Sequence, residues 1–188
     1  HHEILVGGES YIHSMEELIG YKDAPLSVPN EVPLYIMSKE LKKHISVVLS
    51  GEGADEIFGG YGRIFSSPYD LERMQCIDKL NLTVEDKRTL RNNFINKYGT
   101  ESFQSEVEHF NNVYSYTSLA EKSELLSSVL PLKDIECQLT DKIEQYFNEL
   151  EDDSYYNKMM YTFEKIHLVG LLQRLDTSTM AASVEARV

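Results

Sequence analysis

Three carboxylates fall within five residues at Glu52, Asp55 and Glu56, interleaved with Gly51 and Gly53. Glycine at such positions permits positive φ and close approach of backbone to a ligand, so the bend can aim several N–H groups at phosphate oxygens. Bare carboxylates repel phosphate, and a divalent cation reconciles the two. Mg2+ binds through one or two carboxylates together with substrate phosphates, so the pattern points to a metal-nucleotide complex more than to a free anion. An ordinary turn with acidic helix caps stands beside that reading, because short glycine motifs recur by chance.

The elements that must position these groups flank them closely. Ile45, Val47, Val48 and Leu49 are apolar and mostly β-branched, which predicts a strand buried on both faces of a parallel sheet. Ser50 ends it. Asp55 and Glu56 then open a short helix whose N-terminal N–H groups add positive partial charge at the same place. Gly59, Gly60 and Tyr61 close that helix, and the residues after it, GRIFSSPYD, read as a loop or lid edge.

Residues 49–61, LSGEGADEIFGGY, resemble the signature of the synthetase domain of glutamine-dependent asparagine synthetases, a branch of the ATP pyrophosphatases that also includes β-lactam-forming synthetases. Three more stretches agree in order and spacing: HHEI at the start, VPLYIMSKELKK before the signature and LLQRLDTSTMAASVEARV at the end. The resemblance implies an α/β fold with a parallel sheet of the ATP-pyrophosphatase (adenine nucleotide alpha hydrolase-like) type and a helical C-terminal region, truncated at both ends. Residues 1–188 would be a partial synthetase domain, with 1–67 the α/β nucleotide-binding part and 68–188 mainly helical.

The chemistry implied by the resemblance is ATP-dependent amidation of aspartate to asparagine through β-aspartyl-AMP, with ammonia from glutamine and with ATP and Mg2+ as cofactors. Ser50, Gly51 and Gly53 match the nucleotide-binding turn, and Asp55 matches a ligand of the Mg2+-pyrophosphate. Glu52 matches the carboxylate that serves adenylate formation and takes a proton from incoming ammonia. Tyr61 matches an active-site tyrosine that assists proton transfer in β-lactam synthetases; simple packing is the alternative. Arg174, Asp176, Thr177, Ser178 and Met180 match an R-x-D-x-x-x-M pattern, and Glu185 with Arg187 match E-x-R, read first as a buried structural pair.

Other parts of the family pattern do not occur here: an N-terminal cysteine nucleophile, an SGG-x-DS loop and a PFLD segment. The chain therefore resembles the middle of a synthetase domain, expected to be inactive alone. Two other functions remain open at this stage. One is a related amidotransferase or β-lactam-type synthetase acting on another carboxylate, and the other is a noncatalytic nucleotide-binding domain. Relatives often dimerise, so a homodimer is an expectation of the resemblance that these residues do not decide.

Composition narrows the rest. A net charge of -13 argues against nucleic acid as a partner, since that affinity comes from Lys and Arg on phosphates. No apolar run of spanning length and no basic-start signal peptide is apparent, so no membrane is expected and the cytoplasm is the default location. Cys76 and Cys137 lack CxxC spacing and read as two reduced, packed thiols. Residues 134–153 hold eight acidic residues against Lys142, the pattern of a solvated helix face.

Along the chain, residues 1–6 read as a strand entering a Gly7-Gly8 turn, and Ser14 with Glu17 as a capping box for a helix stopped by Gly20. Residues 23–30 read as a loop, with Asp23 and Pro25 resembling an acidic-x-Pro element of relatives. Pro33 opens a helix whose Leu34, Met37 and Leu41 share a core face. Beyond residue 68 helices follow, with Thr83/Asp86 and Ser118/Glu121 as caps and Gly99 as a stop. Phe94, Tyr98, Phe103, Phe110, Tyr114 and Tyr116 read as core, and His109 and His167 as packed histidines.

Overall fold

A computed structural model describes residues 2–126, 130–150 and 153–188. In chain order the helices and strands are α1 (Gly8–Lys22), α2 (Glu31–Leu41), β1 (Val47–Leu49), α3 (Ala54–Phe58), α4 (Gly62–Phe65), α5 (Ser67–Cys76) and α6 (Val84–Tyr98). There follow α7 (Glu106–Tyr114), α8 (Leu119–Leu125), α9 (Leu132–Asn148), α10 (Tyr155–Phe163), α11 (Val169–Met180) and β2 (Glu185–Arg187). A 3-10 turn spans Ile77–Lys79 and a π-helical turn spans Glu164–Leu168. The chain divides into two compact units, His1–Phe58 with Glu164–Val188, and Gly59–Phe163. It is an α/β protein, mostly helical, with a small parallel sheet.

In the first unit β1 pairs in parallel with β2, Val48 opposite Ala186. The strand is not buried on both faces as its composition predicts: Val47 is 44% and Leu49 82% exposed. Among the described residues β1 has one partner strand, and a two-stranded ribbon cannot cover two apolar faces. Leu18, Tyr35 and Ala182 form the local core, drawn from α1, α2 and the turn after α11. The expected N-terminal strand is absent from residues 2–6, and His1 lies outside the described residues. Gly7 and Gly8 start a helix instead of a turn, because Ser10 Oγ accepts the Gly7 N–H at 3.1 Å and donates to the Gly7 carbonyl at 2.8 Å.

Ser14 is consequently buried inside α1, Glu17 pairs with Lys39 at 2.7 Å instead of closing a cap, and Gly20 does not stop the helix. Asp23 ends it in the left-handed region, φ 51°, and the loop 23–30 follows as expected. The inward face of α2 is Val32, Tyr35 and Ser38, shifted from the expected Leu34, Met37 and Leu41. Glu31 sets that phase: it is fully buried, and its carboxylate accepts from Lys22, Ser27 N–H and Val28 N–H.

The second unit is helical, as the sequence predicts for its part beyond residue 68. Thr83 Oγ1 accepts the Asp86 N–H, Ser118 and Glu121 complete a capping box, and Gly99 caps α6 at φ 76°. Phe110, Phe147, Met159 and Phe163 are buried at its centre. Tyr116 departs from the expected core and is 90% exposed beneath the Arg63 guanidinium. The expected loop after the signature is helical instead, α4 and α5, with Pro68 in the first turn of α5 where its missing N–H costs nothing. On α9, Asp134, Asp141 and Glu144 face solvent as expected, while Glu151 and Asp152 of that acidic run lie outside the described residues. Cys76 and Cys137 are free thiols, and Cys137 is exposed, not packed.

Candidate functional site

The turn after β1 is held from one side by β2. The Ser50 N–H donates to the Arg187 carbonyl at 2.7 Å, prolonging the parallel ladder by one bond, and Ser50 Oγ accepts the Glu52 N–H at 3.2 Å. Both donors are thereby taken. Among the described residues the backbone N–H groups of Gly51 and Gly53 make no hydrogen bond, and they are the donors the turn can offer an anion. Gly53 sits at φ 93°, a conformation costly for any other residue, and a Cβ there would meet Leu168 Cδ1 at 2.9 Å. Ser50 thus contributes to the turn as its brace, Gly51 contributes exposed backbone, and Gly53 is buried against Leu168.

The three carboxylates separate in space. Arg174 on α11 donates to Glu52 Oε1 at 2.8 Å, and side-chain exposures of 29% for Glu52 and 18% for Arg174 keep the pair at the edge of solvent. Among the described residues no hydrogen bond is made to Oε2 of Glu52. Asp55 is exposed in the first turn of α3, where a negative side chain is favoured. Glu56 points the other way: it is 1% exposed, with its Oε1 3.9 Å from His167 Nε2. Only two of the three signature carboxylates therefore face outward, because the third is spent on packing α3 into its unit.

His167 lies on the π-helical turn, and burial pushes its pKa down, with Glu56 opposing and Arg174 reinforcing that shift. Tyr61 belongs to the second unit, where it caps α4 and packs on Phe163 at a ring distance of 5.4 Å. Glu185 and Arg187 do pair, at 2.9 Å, but at 51% and 63% exposure they are a surface contact and not the buried pair expected. Sequence reasoning set Arg174 within a pattern without a partner; the signal lay in its being a cation in a segment that resembles the signature's companion. Leu168 and the inward turn of Glu56 carried no sequence signal at all.

Among the described residues no group of three or more His, Cys, Asp and Glu gathers as metal ligands. What the turn offers is an outward carboxylate at Asp55 beside two backbone donors. That donor set fits Mg2+, which is held largely by phosphate oxygens and water with one or two protein carboxylates. Likewise, among the described residues no helix is long and apolar enough to cross a membrane.

Comparison with known proteins gives a consistent result. The family model described as asparagine synthase matches residues 1–188. The chain is 31% identical over 191 residues to glutamine-hydrolyzing asparagine synthetase 1 of Bacillus subtilis (strain 168), covering 98% of this chain and 29% of that protein. It is 29% identical over 188 residues to glutamine-hydrolyzing asparagine synthetase 3 of the same organism, covering 100% of this chain and 25% of the relative. A putative glutamine-hydrolyzing asparagine synthetase of Mycobacterium tuberculosis (strain ATCC 25618 / H37Rv) is 40% identical over 75 residues, 40% of this chain and 11% of its own. The chain thus spans less than a third of the length of these relatives. No solved structure matches it.

Proposed function

This chain belongs to the asparagine synthase family, and on that premise we propose that the complete protein is a ligase that amidates aspartate to asparagine at the expense of ATP, with ammonia drawn from glutamine. The observation that carries the reading is the family match over all 188 residues, which includes the intact turn at residues 50–55. The sheet would then be part of an ATP-pyrophosphatase fold, with the turn at the carboxyl end of β1 as its phosphate site.

The side-chain carboxylate of aspartate has a poor leaving group, and transfer of AMP to it, releasing pyrophosphate, gives β-aspartyl-AMP, whose AMP ammonia can displace. Gly51 and Gly53 present their N–H groups to the phosphates, and Ser50 keeps the bend open by occupying its own donor on Arg187. Asp55 would hold Mg2+, which supplies neutralisation of the charge that builds on pyrophosphate. Arg174 orients Glu52 through Oε1, which leaves Oε2 to receive a proton from ammonia as it attacks. Tyr61 is assigned to proton transfer by the resemblance alone.

The test is aspartate-dependent exchange of labelled pyrophosphate into ATP by the complete protein, followed by asparagine formation. Glu52→Gln should reduce synthesis by at least about 100-fold, the scale of losing a positioned acid-base group, and leave glutamine hydrolysis intact. Near-normal asparagine formation by that variant would defeat the assignment of Glu52. Exchange supported by other acids but not by aspartate would move the protein to a different acceptor.

A further inference from the structure

We propose that the π-helical turn Glu164–Leu168 positions the nucleotide turn, with Leu168 as the positioning residue. The proposal rests on the reading of residues 50–55 as a phosphate site, and it adds a part to which nothing in the family resemblance assigns a role. A π-turn closes its hydrogen bonds over five residues instead of four, is rare, and recurs where a helix serves a site. Here three positions of the signature are each met by a residue from that turn or from the helix that continues it. Leu168 Cδ1 lies 2.9 Å from where a Cβ on Gly53 would stand, so the glycine rests directly on this methyl group. His167 stands 3.9 Å from the buried carboxylate of Glu56, and Arg174 holds Glu52 at 2.8 Å.

The physical need for such a support is plain. A bend containing Gly51 and Gly53 has the most conformational freedom the chain can have, and each glycine costs about 0.5–1 kcal/mol of extra entropy to fix. Phosphate donors must nevertheless be held closely, because a displacement of about 1 Å can lower a rate about 100-fold. β2 fixes the bend at Ser50 and Arg174 fixes it at Glu52, but Gly53 has no side chain through which to be held. Its carbonyl accepts the Ile57 N–H at 3.1 Å, which ties it to α3, and contact from beneath by Leu168 sets the bend against the π-turn.

Leu168→Ala in the complete protein removes that contact, and Leu168→Met restores its volume. The Ala variant should lower kcat for pyrophosphate exchange by about 10- to 100-fold with a smaller rise in KM for ATP. It should leave glutamine hydrolysis unchanged and speed amide exchange across residues 51–58. Met should return kcat to within about threefold, as volume-conserving swaps are tolerated best. Should the Ala protein fail to fold, Leu168→Val is read in its place, with a smaller fall in kcat in the same direction. A lower melting temperature with kcat per folded molecule unchanged would make Leu168 mere packing and overturn the proposal. If the wild-type protein shows no aspartate-dependent exchange, the acceptor assignment fails separately. Amide exchange and calorimetric Mg-ATP binding then decide for Leu168, and no change in either overturns it.

Discussion

Glu31 offers the most demanding check on how the first unit is held. Its side chain is fully buried, yet Lys22 Nζ lies 2.5 Å from Oε2, and the Ser27 and Val28 N–H groups reach Oε1 at 2.7 and 3.1 Å. Three donors from the end of α1 and from the loop 23–30 converge on one carboxylate at the start of α2, so this group closes the loop. Burial alone would raise its pKa, but Lys22 and the two backbone N–H groups outweigh burial and leave it below the usual 4.5. Glu31→Ala leaves two amides and an ammonium that is 11% exposed without their acceptor. Breaking a buried pair in this way costs about 3–5 kcal/mol. Glu31→Gln keeps an acceptor but gives up the charge, a loss of about 1.5–3 kcal/mol. Native-state amide exchange at Ser27 and Val28 reads the effect directly. Protection should fall by at least about 100-fold in the Ala variant and by about 10- to 100-fold in the Gln variant, at 1.36 kcal/mol per decade. The sign with pH also follows. A folded pKa below the unfolded one gives a contribution that is complete above pH 4.5 and lost as pH falls through the folded value, so the gap between wild type and Glu31→Gln should close there. Protection of Ser27 and Val28 within about threefold of wild type in Glu31→Ala at neutral pH would refute the reasoning, since a loss of about 3 kcal/mol cannot hide there.

The second unit should carry an acid limb of its own. His109 is fully buried, with Nδ1 2.5 Å from the Tyr155 hydroxyl and Phe103 and Tyr98 against its ring, and burial pushes its pKa down to about 4, with Asp70 opposing and Lys97 reinforcing. Because the folded value is the lower one, the unfolded chain binds the extra proton, so stability is complete above pH 6.5 and lost as pH falls toward 4, by roughly 3 kcal/mol. His109→Phe should flatten that limb in pH-dependent unfolding while costing about 1–3 kcal/mol at pH 8 through the orphaned Tyr155 hydroxyl; an unaltered limb would rule His109 out as its source. Asp55→Asn, at an exposed position, should change stability by less than about 0.5 kcal/mol. It should raise the Mg2+ concentration needed for pyrophosphate exchange, and an unmoved Mg2+ dependence would remove Asp55 from the metal.

Legibility followed the range of the forces involved. Caps are local chemistry, so Thr83, Gly99 and the Ser118–Glu121 box were readable from a few residues and sit where the sequence put them. The helix α3 was readable for the same reason. What failed depended on partners distant in sequence. Ser14 and Glu17 had the spacing of a box, but Lys39, 22 residues away, takes the Glu17 carboxylate, and Ser10 with Gly7 starts the helix earlier. The phase of α2 turned on Lys22 and the loop amides selecting Glu31, an inward charge that hydrophobic spacing could only read as outward. At the site, the glycines and Asp55 were visible as types, whereas the burial of Glu56 and the Arg174–Glu52 pair, 122 residues apart, were visible only in space.

The division of labour within the turn follows from what the last 25 residues occupy. Arg187 takes the Ser50 N–H, Ser50 in turn takes the Glu52 N–H, Arg174 takes one oxygen of Glu52, and Glu56 is turned inward beside His167. Each of these contacts removes a polar group from the set that could meet a ligand. Among the described residues, those left include the amides of Gly51 and of the buried Gly53, one oxygen of Glu52 and the carboxylate of Asp55. On the proposed reading, a phosphate at the turn would stand beside an acidic group suited to its counter-cation and another suited to a proton. A protein with the same residues 50–56 but a different C-terminal segment would present a different set, with the Ser50 donor free and Glu52 unanchored. Which polar groups such a turn can offer a ligand is therefore decided less by the signature itself than by the strand and helix that return to it.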